Sequence, residues 1–223
     1  MSKAPKFIKS TGGNCGMYAL VMALNSVEAE LNPSVIETIA SNQGISYFGE
    51  LYSRKQVLNL LGAVKDTGHE FNYEGVQFDT KESFEEAIRE TVEAGRYMLV
   101  AYYAFQGFVR APEKVNMDRG HWLVIYDIDS KGNIAAIQSN SKAHLLKALN
   151  HVTVQSLYDS NNRLKDVKIN WGKYNKCDVK VCKKQLEKNA RCGASMCGLN
   201  NKMKVYECIY HSDLSNFGIV IYK

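Results

Sequence analysis

The spacing of apolar residues changes character near residue 96, and no other feature constrains the fold of this chain as tightly. Upstream of that point, apolar side chains recur at helical intervals. Met17, Leu20, Val21 and Leu24 predict one helix from Cys15 to about Glu30. "NPSVIETIA" supplies a second helix start, with Asn32 as cap and Pro33 in the first turn. "SRKQVLNLLG" predicts a third helix over residues 53–62, capped by Ser53 and stopped by Gly62. "TKESFEEAIRETVEAG" predicts a fourth over residues 80–95, with a Thr cap, Phe84, Ile88 and Val92 on one face, and a terminal Gly. Downstream, "RYMLVAYYAF" and "HWLVIYDI" are continuous apolar and aromatic runs of buried-strand type. "DSKG" then predicts a hairpin turn into a further strand, "NIAAIQSN". Residues 150–164 predict one more helix, and "VYECIYH" and "FGIVIYK" two late strands. Helices followed by strands predict an α+β fold with an antiparallel sheet.

Composition narrows the class. The 223 residues are 45% hydrophobic and 23% charged, the profile of a globular chain, and no internal repeat or low-complexity tract interrupts it. The net charge of +5 is too weak to argue for an acidic partner. Lys and Arg cluster over residues 165–204 without interleaved aromatics, so this reads as a solvated basic face and no nucleic-acid partner is expected. No apolar run approaches the ~20 residues of a membrane span. "MSKAPKFIKS" lacks the apolar core of a secretory signal. The expectation is a soluble protein, cytoplasmic or exported without a classical signal peptide, including delivery into a host cell.

The six cysteines divide into two groups. Cys15 stands alone, whereas Cys177, Cys182, Cys192, Cys197 and Cys208 are crowded together. In the crowded group, Cys177-x4-Cys182 and Cys192-x4-Cys197 are compatible with a structural zinc, with reduced packing cysteines or with disulfides. No catalysis is assigned there and no catalytic metal or other cofactor is expected. The tail is read as an insertion or appendage at about 165–204 on a single domain spanning 1–223.

Cys15 lies in "STGGNCGMYALVMALN", where a glycine-flanked loop becomes a helix. A thiolate is the reactive form of cysteine, and the orphan N–H groups and dipole of a helix N-terminus favour it. Gly12, Gly13 and Gly16 let the backbone bend and a substrate approach. The thiol needs a base. His69 lies in a polar loop, His144 and His151 flank an amphipathic segment, and His211 follows a strand. His121 opens a buried strand after Gly120 and is preferred, with His211 in reserve. The base needs an orienting group. Asn140, on the strand returning from the hairpin, is the first candidate and Gln138 the second; Asp127 and Asp129 lie at the far end.

Taken in order, "NCGMYAL" at a helix start, "GHWLVIYDID" on a strand and a polar side chain on the next strand resemble the papain-like cysteine peptidases. The closest likeness is to the bacterial C39-like enzymes, and it covers roughly residues 7–141. "GGNC" also resembles the "DGNC" of ovarian-tumour-type deubiquitinases. The resemblance implies a cysteine helix packed on an antiparallel sheet and a triad of Cys15, His121 and Asn140. Where the papain-like family carries an oxyanion-donating Gln, this chain has Lys9, which leaves Asn14 and backbone N–H groups such as that of Gly13 for the task. The implied activity is hydrolysis of a peptide or isopeptide bond in a protein, with a ubiquitin-like protein among the candidate partners and a pathogen effector among the settings. Glutamine deamidation and transamidation use the same machinery. A catalytically silent papain-fold binding module is the alternative of another class.

Overall fold

The helices upstream of residue 96 and the strand runs after it are present in the computed structural model, which describes residues 3–10, 14–46, 51, 53–103, 120–139, 152–166 and 213–223. Helix α1 spans Cys15–Ser26. It ends before the expected Glu30 because Glu28 and Glu30 take positive φ values of 64° and 44°. The Asn25 side chain holds that turn, accepting from the Leu31 N–H at 2.6 Å and donating to the Leu31 carbonyl at 3.0 Å. Helix α2, Pro33–Asn42, begins as expected, with the Asn32 side chain accepting from the Ser34 N–H. Helix α3, Arg54–Lys65, starts in a capping box between Ser53 and Gln56. The stop expected at Gly62 is not used. Ala63 and Val64 continue the buried face, so the helix runs on and the chain turns at Gly68 (φ 95°). Helix α4, Lys81–Glu93, has a Thr80–Ser83 capping box and ends just before Gly95 (φ 72°).

Among the described residues six strands form one sheet: β1 Asn72–Gln77, β2 Tyr97–Tyr103, β3 Gly120–Ile128, β4 Asn133–Gln138, β5 Val152–Thr153 and β6 Phe217–Tyr222. Their order is β1-β6-β2-β3-β4-β5 and every pairing is antiparallel. The fold is therefore α+β with an antiparallel sheet. β1 lies in the half of the chain expected to be helical. It is an edge strand, largely exposed and paired to β6, so it carries no apolar run. Helix α5, Val154–Asn162, follows β5 behind a Thr153–Ser156 capping box. The expected strand "VYECIYH" and the cysteine-rich segment lie outside the described residues.

Both faces of the sheet are covered, which is why its central strands read as unbroken apolar runs. On one face, Tyr97, Leu99 and Ala101 of β2 and Trp122 and Val124 of β3 pack with α1, α2 and α3. On the other, Met98, Val100 and Tyr102 of β2 and Leu123 and Ile125 of β3 pack with α4 and α5. Helix α1 is buried all round from Gly16 to Leu24, a wider apolar surface than the single face its spacing predicts. It sits against β3, β2 and β4. Residues 3–10 run beside it: the Lys3 carbonyl accepts from the Tyr97 hydroxyl, and the Ile8 N–H donates to the Met22 sulfur. A fully buried large apolar side chain stabilises by roughly 1.5–3 kcal/mol. Met17, Leu20, Met22 and Leu24 alone thus anchor α1 far more firmly than any end cap. Among the described residues no helix is long and apolar enough to cross a membrane.

Candidate active site

Cys15 is the first residue of α1 and is half-buried. Asn14, the residue before it, makes no side-chain cap to the helix, and no acidic residue occupies the first turn. The Asn14 amide nitrogen instead donates to the Glu37 carboxylate of α2 at 2.5 Å, and its Oδ1 is buried without a hydrogen-bond partner. The Asn14 side chain therefore does not cap the first turn of α1.

His121 is the second residue of β3 and is also half-buried. Two contacts fix its strand to the helix start. Gly16 lies close against the Trp122 indole: a Cβ at Gly16 would stand 2.9 Å from both Cδ1 and Nε1 of that ring. Only glycine allows α1 to approach the residue after His121 so closely. The Trp122 Nε1–H donates to the Leu51 carbonyl at 3.2 Å, which holds the indole in place. The end of β4 reaches the same point. Ser139 is buried, its hydroxyl donates to the Cys15 carbonyl at 3.4 Å, and its own carbonyl accepts from both the N–H and the hydroxyl of Ser10 at 2.8 Å. The start of α1, the start of β3, the end of β4 and the N-terminal segment thus converge at one end of the sheet.

Tyr102 links these groups. It pairs with His121 across β2 and β3, and the two rings lie 5.9 Å apart at 34°. Its hydroxyl donates to Gln138 Oε1 at 2.5 Å. Burial pushes that hydroxyl well above its ordinary range, and a negative charge on Cys15 adds to the push. The His121 ring is therefore a neighbour of this tyrosine, and the charge of a Cys15 thiolate is felt at its hydroxyl.

Of the residues singled out by sequence, Cys15 and His121 both lie towards this end of the sheet, on adjoining elements. Asn14 is there too, its amide engaged with Glu37. Gln138 spends its carbonyl on Tyr102. Asp127 and Asp129 lie at the opposite end of β3, where Asp129 binds the hairpin through Lys131 and Asn133. Gly13, Asn140 and the five clustered cysteines lie outside the described residues. Sequence reasoning missed Tyr102, Ser139, Trp122 and Glu37. For Tyr102 the signal was a hydroxyl inside a strand read as wholly buried, since a buried tyrosine O–H finds an acceptor.

A family model described as actin maturation protease-like, C-terminal domain, matches residues 5–128, a span of more than half the chain that includes both Cys15 and His121. No curated protein matches the chain.

Proposed function

Because the chain belongs to the actin maturation protease-like family, we propose that it is a cysteine peptidase of papain-like design, with Cys15 as nucleophile, His121 as base and Asn140 as the group that orients the imidazole. The observation that carries this reading is the packing of Gly16 on Trp122, which ties the residue after Cys15 to the residue after His121. The third member rests on the sequence resemblance alone.

In this mechanism His121 takes the thiol proton and the Cys15 thiolate attacks the acyl carbon of a protein substrate. A C–S bond forms as the carbonyl π bond opens, and the oxyanion is received by backbone N–H groups at the start of α1, with Gly13 and the Asn14 amide as further donors. Glu37 takes one hydrogen of that amide and leaves the other for the substrate. The C–N bond then breaks as His121 returns the proton to the leaving amine. Water, deprotonated by His121, hydrolyses the thioester and restores the thiol. The family's name attaches it to actin, so an actin is the first protein substrate to test, with ubiquitin chains as the comparison.

Alkylation by iodoacetamide followed by peptide mapping tests the pair directly. Cys15 in the native protein should react much faster than a free thiol at neutral pH, and His121→Ala should slow it by about 100-fold or more, the lower range of a general base's contribution. Equal rates in the two proteins would leave the chain as a binding module.

A further inference from the structure

Tyr102 belongs to an apolar cluster with Met98, Val100, Leu123, Ile125 and Ala136. Tyr102 is 1% exposed and Gln138 3% exposed. Placing a hydroxyl and a primary amide in such surroundings is costly unless they find hydrogen-bond partners. A Phe and a Leu would fill the same space without that cost. Several other buried polar side chains serve the main chain, while the Asn14 amide donates to the Glu37 carboxylate. Ser139 binds the Cys15 carbonyl, Ser160 the Tyr103 carbonyl, Thr91 the Ala87 carbonyl, and Asn161 both the Ala101 and Leu214 carbonyls. The Tyr102–Gln138 bond joins two side chains and satisfies no main-chain group. It lies at the end of the sheet where Tyr102 stands across from His121.

We infer that Tyr102 and Gln138 are a positioning pair for the His121 imidazole: the phenol ring forms the wall against which the imidazole is held, and Gln138 locks that ring by its hydroxyl. The inference rests on the peptidase reading given above. The wall remains a neutral donor, because burial and a nearby thiolate both oppose loss of the tyrosine proton. It can therefore fix the direction of the imidazole without adding a charge beside a thiolate–imidazolium pair. Neither residue touches the substrate in this scheme.

Iodoacetamide alkylation of Cys15 across the pH range, run beside thermal unfolding, tests the pair in full-length protein. Tyr102→Leu removes wall and lock together. Its alkylation at neutral pH is expected to fall tenfold or more, with a displaced acid limb of the pH profile. Tyr102→Phe keeps the wall and should recover most of that loss, leaving a two- to fivefold deficit. Gln138→Leu should show a similar deficit, and the double variant Tyr102→Phe/Gln138→Leu no more than either alone, since both remove one bond. A folded Tyr102→Leu with the native rate and profile overturns the inference. Should Tyr102→Leu show no cooperative unfolding, the other two variants decide: native profiles in both overturn it, and matched, non-additive deficits uphold it. Native protein that reacts no faster than a free thiol, and no faster than His121→Ala, would instead remove the peptidase reading.

Discussion

Helix α1 begins differently from α3, α4 and α5. Those three open in reciprocal capping boxes, Ser53–Gln56, Thr80–Ser83 and Thr153–Ser156, in which a hydroxyl and a side chain one turn later take up the orphan donors. α1 opens at Asn14 with no side-chain cap, and the amide that might have served is turned towards Glu37. The difference follows from what each helix must do for stability. α3, α4 and α5 are amphipathic and gain from a cap worth about 1 kcal/mol. α1 is buried all round, so its stability does not depend on its first turn. That leaves the end of α1 available for chemistry.

The comparison can be broken most sharply at Asn14. Asn14→Asp would place a carboxylate beside Cys15 and against Glu37, giving α1 an acceptor cap while opposing a second negative charge. Cys15 alkylation at neutral pH should fall by about tenfold, the equivalent of one pKa unit, with the profile displaced to higher pH. An unchanged profile would mean that the open end of α1 is not poised for an anion. A smaller effect is expected at a capped helix. Thr80→Ala should cost α4 about 1 kcal/mol in denaturant unfolding while Cys15 alkylation keeps its native rate. A change in alkylation there would merge the two classes of helix start. The smallest effect concerns the far end of the β3–β4 hairpin. The Asp129 carboxyl is held below its ordinary 3.8, chiefly by the Asn133 side chain and then by the Asn133 and Lys131 N–H groups. A lowered carboxyl stabilises the fold above pH 3.8 and loses that contribution as pH falls through its folded value. Thermal unfolding of the native protein should weaken slightly over that acidic window. Asp129→Asn should not show this increment, and its alkylation at neutral pH should be native.

Most of this contrast was legible in the sequence. Ser53, Thr80 and Asn32 announced their helix starts because capping is local chemistry, complete within four residues. The unbroken runs of β2, β3 and β6 announced a sheet covered on both sides. β1 was hidden because an exposed edge strand has no burial to enforce alternation, and "NYEGVQ" reads as loop. Gly62 misled because a glycine inside a helix and one that ends it look alike until the buried Ala63 and Val64 are seen to continue the same face. Cys15 and His121 were visible from their boundaries, a glycine-flanked helix start and a strand start. Tyr102 and Glu37 entered through contacts between elements far apart in the chain, and so did the tyrosine partner of Gln138, a residue the sequence had named only as a second orienting candidate. No spacing rule reports that the tyrosine of one strand bonds a glutamine two strands away.

The close approach of Gly16 to Trp122 has an optical consequence. The chain has two tryptophans, Trp122 and Trp171. Replacing Trp171 by Phe would leave one indole, seated on the first turn of the helix that carries the thiol. Its emission would then respond to events at Cys15, such as ionisation, acylation or alkylation, with no attached dye. Stopped-flow fluorescence could follow formation and decay of a covalent intermediate on the unlabelled enzyme.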